Sequence, residues 1–384
     1  MKLFKIIITI IVIIFLLAKP SFANELSIPV PEPVWVKKVD KFWYIDPKLA
    51  VDSLGNETII THVGVDKRYI VGTNAKTGEK RWSILVKNKR AVKFSEDGYI
   101  FLYTYEHSRK KTDYVTVISP STGKEIYSQS LPTYWKDIYP REKGSFYTST
   151  YDYLNKESSI YYYNKAGKFV KKSTITHQIY DIIGDYFFAF SSNFNNKTIV
   201  YNLKDGKKIV TLTDGTREYD RRLDRFVEFY VLSGGTIIQP NVRNDKFILR
   251  AYSSSGKLKW TKYLPYTQRT ELATLGNNFI VYGGDDNKIS LFNEAGSLLG
   301  TKTVDFWGII FSQDSKSFMI SSKNEQDEYS AYLLDTKSLK TLFHTNEEIE
   351  VVQPLDIFAF LFNTSELYVY RTAKYNLSKI ILGK

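Results

Sequence analysis

The chain is predicted to be all-β, a β-propeller of four-stranded blades. Three observations predict it. A Gly-centred turn motif occurs in seven versions along the chain, a second set of turns interleaves with it at the same period of about 43 residues, and the composition suits strands. Among 384 residues there are 29 Tyr and 24 Phe but only 2 Met. Large rings pack well on a pleated, half-buried surface, whereas helix-rich chains lean on Ala, Leu and Met. Hydrophobic residues make up 43% of the chain, enough for a substantial core at this length.

The clearest copy of the first turn is Asn74-Ala75-Lys76-Thr77-Gly78-Glu79-Lys80-Arg81-Trp82, and it returns as Ser119 to Tyr127 around Thr122-Gly123. Shorter versions follow at 164–168, 202–207, 253–260, 293–296 and 335–338. Most sit between β-rich runs such as Tyr114 to Ile118 and a second short run. Gly supplies a positive φ and Asn, Asp or Ser caps the turn, which is hairpin chemistry. The second set comprises Gly55-Asn56, Asp97-Gly98, Lys143-Gly144, Gly184-Asp185, Gly234-Gly235, Asn277-Asn278 and Asp314-Ser315, with Leu355-Asp356 ending the series. Two hairpin turns per unit imply four strands, A to D from the central channel outward. In the second unit these are Ala91 to Ser95, Tyr99 to Tyr105, Tyr114 to Ile118 and Glu125 to Ser130. Eight A–B turns predict eight blades, with seven as the alternative. The eighth C–D turn, near Thr372 to Asn376, is degenerate. Val34 to Val39 has the character of a D strand arriving before any A strand, so it could close the ring by pairing with the last blade. Leu377 to Leu382 could supply the same strand.

The first 23 residues read as a signal peptide. Lys2 and Lys5 precede an apolar run from Ile6 to Ala18, and Ser21-Phe22-Ala23 places small residues where cleavage occurs. The run falls short of the ~20 residues of a spanning helix; an uncleaved anchor is the alternative. Residues 24–384 are then a single propeller domain, secreted or held in the cell envelope. With no cysteine there is no lipid-anchor site, disulfide, metal-thiolate site or cysteine nucleophile. The net charge is +12, or about +9 once the three lysines of the leader are removed. That favours anionic surfaces, or simply keeps the chain soluble.

Asn74 to Trp82 resembles the tryptophan-docking motif of the PQQ-like (quinoprotein-type) β-propellers. Trp260 keeps the Gly256-to-Trp spacing with Ser255 in place of Thr, and Tyr127 replaces the Trp. The resemblance implies that Thr77, Gly78, Trp82, Thr122, Gly123, Gly256 and Trp260 are structural, with the rings docked between blades. Quinoprotein dehydrogenases are similar only in the repeat. Many use an adjacent-cysteine disulfide beside the quinone, absent here, and no calcium-binding Glu/Asn/Asp set carries over. No cofactor is expected.

The four histidines, His62, His107, His177 and His344, lie in different units without ligand spacing, and Asp285-Asp286 brings too few carboxylates for calcium. No metal site and no catalytic residue is predicted. Antiparallel strands place the D–A and B–C connections at one end, where two charged segments meet: Arg109-Lys110-Lys111, and Arg217 to Arg225 with Arg221, Arg222 and Arg225. Tyr134, Trp135 and Tyr266 could add aromatic platforms, while core packing is favoured for Trp307. The expected function is a non-catalytic exported propeller, a monomer, binding a protein or an anionic envelope polymer through this end. Peripheral association with membrane or wall fits this reading, and specific nucleic-acid binding does not. The alternative is an oxidoreductase or hydrolase with its site at the channel mouth.

Overall fold

The computed structural model describes residues 35–38, 48–63, 67–86, 90–104, 113–132, 135–190, 197–213, 229–243, 246–266, 270–283, 287–304, 308–312, 316–323, 329–345, 351–355, 358–362 and 366–371. Within them the chain forms thirty-two strands, paired antiparallel in eight four-stranded sheets, and one 3-10 turn at Glu142–Gly144. This is an all-β propeller with four-stranded blades. Sheets 1 to 7 each use four consecutive strands, spanning 48–86, 90–130, 135–175, 178–213, 230–265, 271–303 and 308–345. The eighth takes Val351–Leu355, Phe358–Phe362 and Glu366–Arg371 and is completed by Trp35–Lys38, with Trp35 opposite Val369 and Lys38 opposite Glu366. The N-terminal strand therefore supplies the outer edge; 377–382 lies outside the described residues. Sheet 2 consists of Arg90–Phe94, Ile100–Thr104, Tyr114–Ile118 and Glu125–Ser130, within a residue or so of the sequence expectation.

The B strands of sheets 2 and 4 are apolar at successive positions because both faces are buried, as they are in each of sheets 2 to 6. Ile100 and Leu102 pack with Ala50, Ile60, Ile70 and Val86 of sheet 1, whereas Phe101 and Tyr103 pack with Trp135, Ile138 and Phe146 of sheet 3. In sheet 4, Phe187 joins Ile160 and Ile175 of sheet 3, and its neighbour Phe188 joins Phe229 and Ile237 of sheet 5. A strand's period of two sends alternate side chains to opposite faces, so each cluster belongs to two sheets. The outer D strands differ. Phe169–Ile175 and Leu258–Pro265 alternate exposed and half-buried positions and carry lysines, which blunt an open edge against pairing with other chains.

The C–D hairpins hold adjacent sheets together. In the first, Asn74 accepts the Lys76 N–H at 2.9 Å through its side chain, Thr77 Oγ1 accepts the Glu79 N–H at 3.3 Å, and Gly78 adopts φ +73°. Thr122 and Gly123 repeat this, with Lys124 N donating to Thr122 Oγ1 at 3.3 Å and Gly123 at φ +67°. In sheets 1 to 6 the residue four beyond the turn position faces the turn of the next sheet. Trp82 lies against Gly123, and its Nε1 donates to Pro120 O at 3.1 Å. Gly72, opposite Trp82 in its own sheet, leaves room for the ring. Trp260 lies against Gly296 and donates to Glu294 O at 2.9 Å.

Other side chains fill the same notch by different chemistry. Tyr127 packs on Gly167 and donates to Gly144 O. Lys171 donates to Leu203 O at 3.2 Å and to Lys204 O at 2.5 Å, and Val210 packs on Gly256. Between sheets 6 and 7 the roles are exchanged. Gly300 stands at the ring position, and Leu339 takes the turn position at φ +57°, its side chain buried over Gly300.

Gly123→Ala places a methyl group 2.6 Å from the Trp82 ring at a positive φ, so backbone strain and overpacking add. It should destabilise the fold by about 2–4 kcal/mol. Gly55→Ala, at φ +76° with nothing within 4 Å, should cost about 1 kcal/mol. Urea melts of the two variants would show equal losses if the notch were unimportant.

Candidate functional site at the B–C and D–A end

The two ends of the sheets differ in what their connections do. At the hairpin end, side chains and backbone tie each turn to its neighbour. Asp97 accepts the Lys143 N–H at 2.7 Å, Arg141 donates to Gly184 O, Tyr186 OH donates to Gly235 O at 3.0 Å, and Ser233 N donates to Gly276 O at 2.9 Å. These turns are committed to the ring. The B–C and D–A connections lie at the opposite end and include the longest segments between strands, Thr104 to Tyr114 and Thr213 to Tyr230.

Arg109, Lys110 and Lys111 fall in the B–C connection of sheet 2, and Arg221, Arg222 and Arg225 in the D–A connection from sheet 4 to sheet 5. All six, and Tyr134, lie outside the described residues. Trp135 is described and is not a surface platform. It is 2% exposed, meets the Tyr103 ring edge-on at 5.5 Å, and donates from Nε1 to Asp113 Oδ2 at 2.8 Å. Asp113 also accepts the Leu131 N–H at 2.8 Å through its carbonyl, so Trp135 ties the end of sheet 2 to the inner strand of sheet 3. Tyr266 packs against the core between sheets 5 and 6, and Trp307 lies outside the described residues.

The structure also gathers residues that the sequence reading passed over. Arg243 and Lys246 are exposed and stand directly opposite across the B–C hairpin of sheet 5. Like charges in that position repel by a few tenths of a kcal/mol or more. Lys246 Nζ lies 5.9 Å from the ring centre of Tyr263, which is 63% exposed. Lys197 and Lys288 occupy the corresponding first position of the C strand in sheets 4 and 6. In sheet 3 the B–C loop holds Tyr153 and Leu154 in solvent. Asp152 fixes it by accepting from Leu154 N at 2.8 Å, Asn155 N at 3.2 Å and Asn155 Nδ2 at 2.7 Å. The cations among these residues do not form a run along the chain. Only their shared position within the repeat would have signalled them.

Among the described residues no group of three or more His, Asp and Glu could hold a metal ion. His177 Nδ1 is 2.8 Å from the Tyr201 hydroxyl, and His344 stacks on Tyr332 at 4.3 Å. His62 is 2% exposed in the B strand of sheet 1; burial, with the Arg68 charge second, lowers its pKa to about 4.

No protein-family model matches the chain, and no curated protein matches it. Among solved structures it is similar to the WD40 domain of SCAP from fission yeast, at 10% identity over 89% of this chain and 98% of that one, with a TM-score of 0.51. BamB from Moraxella catarrhalis is similar at 10% identity over 88% of this chain and 100% of that one, with a TM-score of 0.47. Saccharomyces cerevisiae Sqt1 gives 9% identity, coverage of 88% and 97%, and a TM-score of 0.49. At such identities the likeness concerns the fold alone.

The lowered pKa of His62 makes stability depend on pH. The unfolded chain takes up a proton near the ordinary histidine value, while the folded chain resists until about pH 4. The stability contributed by the neutral ring is therefore present above the unfolded value and is lost as pH falls from about 6.5 towards 4, on the order of 3 kcal/mol in all. Denaturant melts from pH 7 to 4 should show this loss, and His62→Phe should remove much of it; an unchanged pH profile in the variant would refute the assignment.

Proposed function

We propose that this chain is an exported, non-catalytic binding scaffold that engages a protein through its B–C and D–A end. The observation that carries the reading is the division of labour between the ends: the hairpin turns are spent on joining sheets, and the opposite connections are longer and present exposed cations and aromatics. The pattern of charge supports a protein partner. Lys87, Lys89, Arg109, Lys110 and Lys111 fall in connections at this end around sheet 2, whereas Glu325, Asp327, Glu328, Glu347, Glu348 and Glu350 fall in those of sheets 7 and 8. A partner with its own pattern of charge can match both sectors. The basic segment at 109–111 supports a second reading, an anionic envelope polymer bound by that sector alone. The pairing of Trp82 with the Thr122-Gly123 turn, and of Trp260 with Gly296, supports a PQQ-like repeat. Export rests on the residues of the leader. Intact-mass measurement of the secreted protein should find a chain beginning at Asn24, and a full-length membrane-retained species would speak for an anchor.

Reversing Arg109, Lys110, Lys111, Arg221, Arg222 and Arg225 to Glu should weaken binding to an acidic partner, with salt mimicking the effect because exposed charges are screened over ~8 Å at physiological ionic strength. Stability should stay within about ±0.5 kcal/mol per exposed site. Comparing a purified anionic envelope polymer with purified envelope proteins separates the two readings. Equal binding of both classes by wild type and variant at low salt would reject the basic surface.

A further inference from the structure

Several cations on the strands of this molecule have an acceptor. Lys93 pairs with Asp137, Lys259 pairs with Glu294, Arg81 donates to Thr58, and Lys171 donates to two carbonyls. Sheet 5 departs from this at its B–C end. Arg243, the last residue of Ile237–Arg243, stands directly opposite Lys246, the first of Lys246–Tyr252. Both are exposed, and among the described residues neither has a hydrogen bond or an ion pair.

The register adds two residues to the same face. Side chains alternate along a strand, so Lys246 shares its face with Ile248 and Arg250, and Tyr263 lies opposite Ile248 on the outer strand. Phe247 and Leu249, on the other face, pack with Leu272 and Phe279 of sheet 6, whereas Tyr252 packs against the cluster of Tyr186 and Phe188 in sheet 4. The face therefore turns toward sheet 4 and ends at a corner where Arg243, Lys246 and Tyr263 meet solvent. Lys246 Nζ is 5.9 Å from the centre of the Tyr263 ring, which is 63% exposed. Arg250 stands half-buried behind them, also without an ion pair among the described residues.

Like charges directly opposite on neighbouring strands repel, and an anion seated between them turns repulsion into two attractions. The single acid of the hairpin connection, Asp245, leaves the corner with a net positive charge. The arrangement of donors selects among anions. A flat carboxylate is satisfied by the guanidinium fork alone, which leaves the ammonium unpaired. A phosphate monoester carries close to two negative charges and three acceptor oxygens, so it engages the fork and the ammonium together. When the phosphate is borne on a sugar, the C–H face of the sugar can lie against the open Tyr263 ring, whose body is apolar.

We propose that this corner of sheet 5 binds a sugar phosphate, its phosphate between Arg243 and Lys246 and its ring against Tyr263. The proposal rests on the reading of the B–C and D–A end as the binding end and adds a ligand class to it.

The test is titration of the full chain with glucose monophosphate, followed by proton and phosphorus NMR of the ligand, against inorganic phosphate and glucose at matched ionic strength. Saturable binding of the sugar phosphate is expected, tighter than that of inorganic phosphate, with none for glucose. Arg243→Gln and Lys246→Gln should each weaken it by about fivefold or more. Tyr263→Ala should reduce its affinity to that of inorganic phosphate, a selective loss that damage to the fold would not produce. Both charge variants should melt no lower than wild type, since each removes a like-charge contact. The variant reversed at 109–111, 221, 222 and 225 keeps this corner and should bind the sugar phosphate as wild type does, so failure here and failure of the basic surface are told apart. No saturable binding to wild type, or unchanged affinity in both Arg243→Gln and Lys246→Gln, overturns the proposal. Equal affinity of wild type for the two phosphates also overturns it and leaves a generic anion contact.

Discussion

Sheets 2 to 6 each bury two faces, and much of the architecture follows from that requirement. A sheet buried on one face reads as alternating apolar and polar residues. Here two B strands are apolar at successive positions, Ile100-Phe101-Leu102-Tyr103 and Tyr186-Phe187-Phe188-Ala189. Such a strand is stable only with a neighbour on each side, and each core cluster accordingly draws on two sheets. The last sheet is completed by Trp35–Lys38, pairing strands from the two ends of the chain.

Side-by-side sheets need a contact that sets their spacing, and from sheet 1 to sheet 7 the notch above the C–D turn provides it. Glycine at the turn serves two purposes, a positive φ and the absence of a side chain where the neighbour's side chain must lie. Trp82 and Trp260 fill the notch with a ring and one hydrogen bond to a carbonyl. Lys171 does so with two hydrogen bonds to carbonyls and Val210 with apolar contact alone. The exchange of Gly300 and Leu339 shows that the constraint is volume rather than residue identity. Leu339 accepts a backbone conformation that disfavours side chains because its own side chain is buried there.

Committing the hairpin end to the ring leaves the B–C and D–A connections as the end not tied down by turn-to-turn contacts. That end keeps a like-charge pair. Arg243 and Lys246 face one another across a hairpin. Trp135 belongs to the opposite category. Its place beside a charged connection suggested recognition, but its ring and its N–H are both satisfied inside the protein.

The sequence by itself determined the strand content, the four-stranded unit and its turns, because these depend on local chemistry: Gly at a positive φ, Asn, Asp or Ser capping its own turn, and side chains alternating with a period of two. Thr77-Gly78 and Thr122-Gly123 could be read directly. The sequence also marked which connections share an end, since antiparallel strands leave no alternative. Only the tertiary structure decided which of Val34 to Val39 and Leu377 to Leu382 is placed at the outer edge of the last sheet, that Lys171 and Val210 do the work of a tryptophan, and that Trp135 is core. It alone paired Lys93 with Asp137. They stand 44 residues apart, one repeat to the next, and each taken singly is an ordinary charged residue in a strand. Their proximity arises from the packing of inner strands of different sheets, an interaction between distant parts of the chain that leaves no local trace.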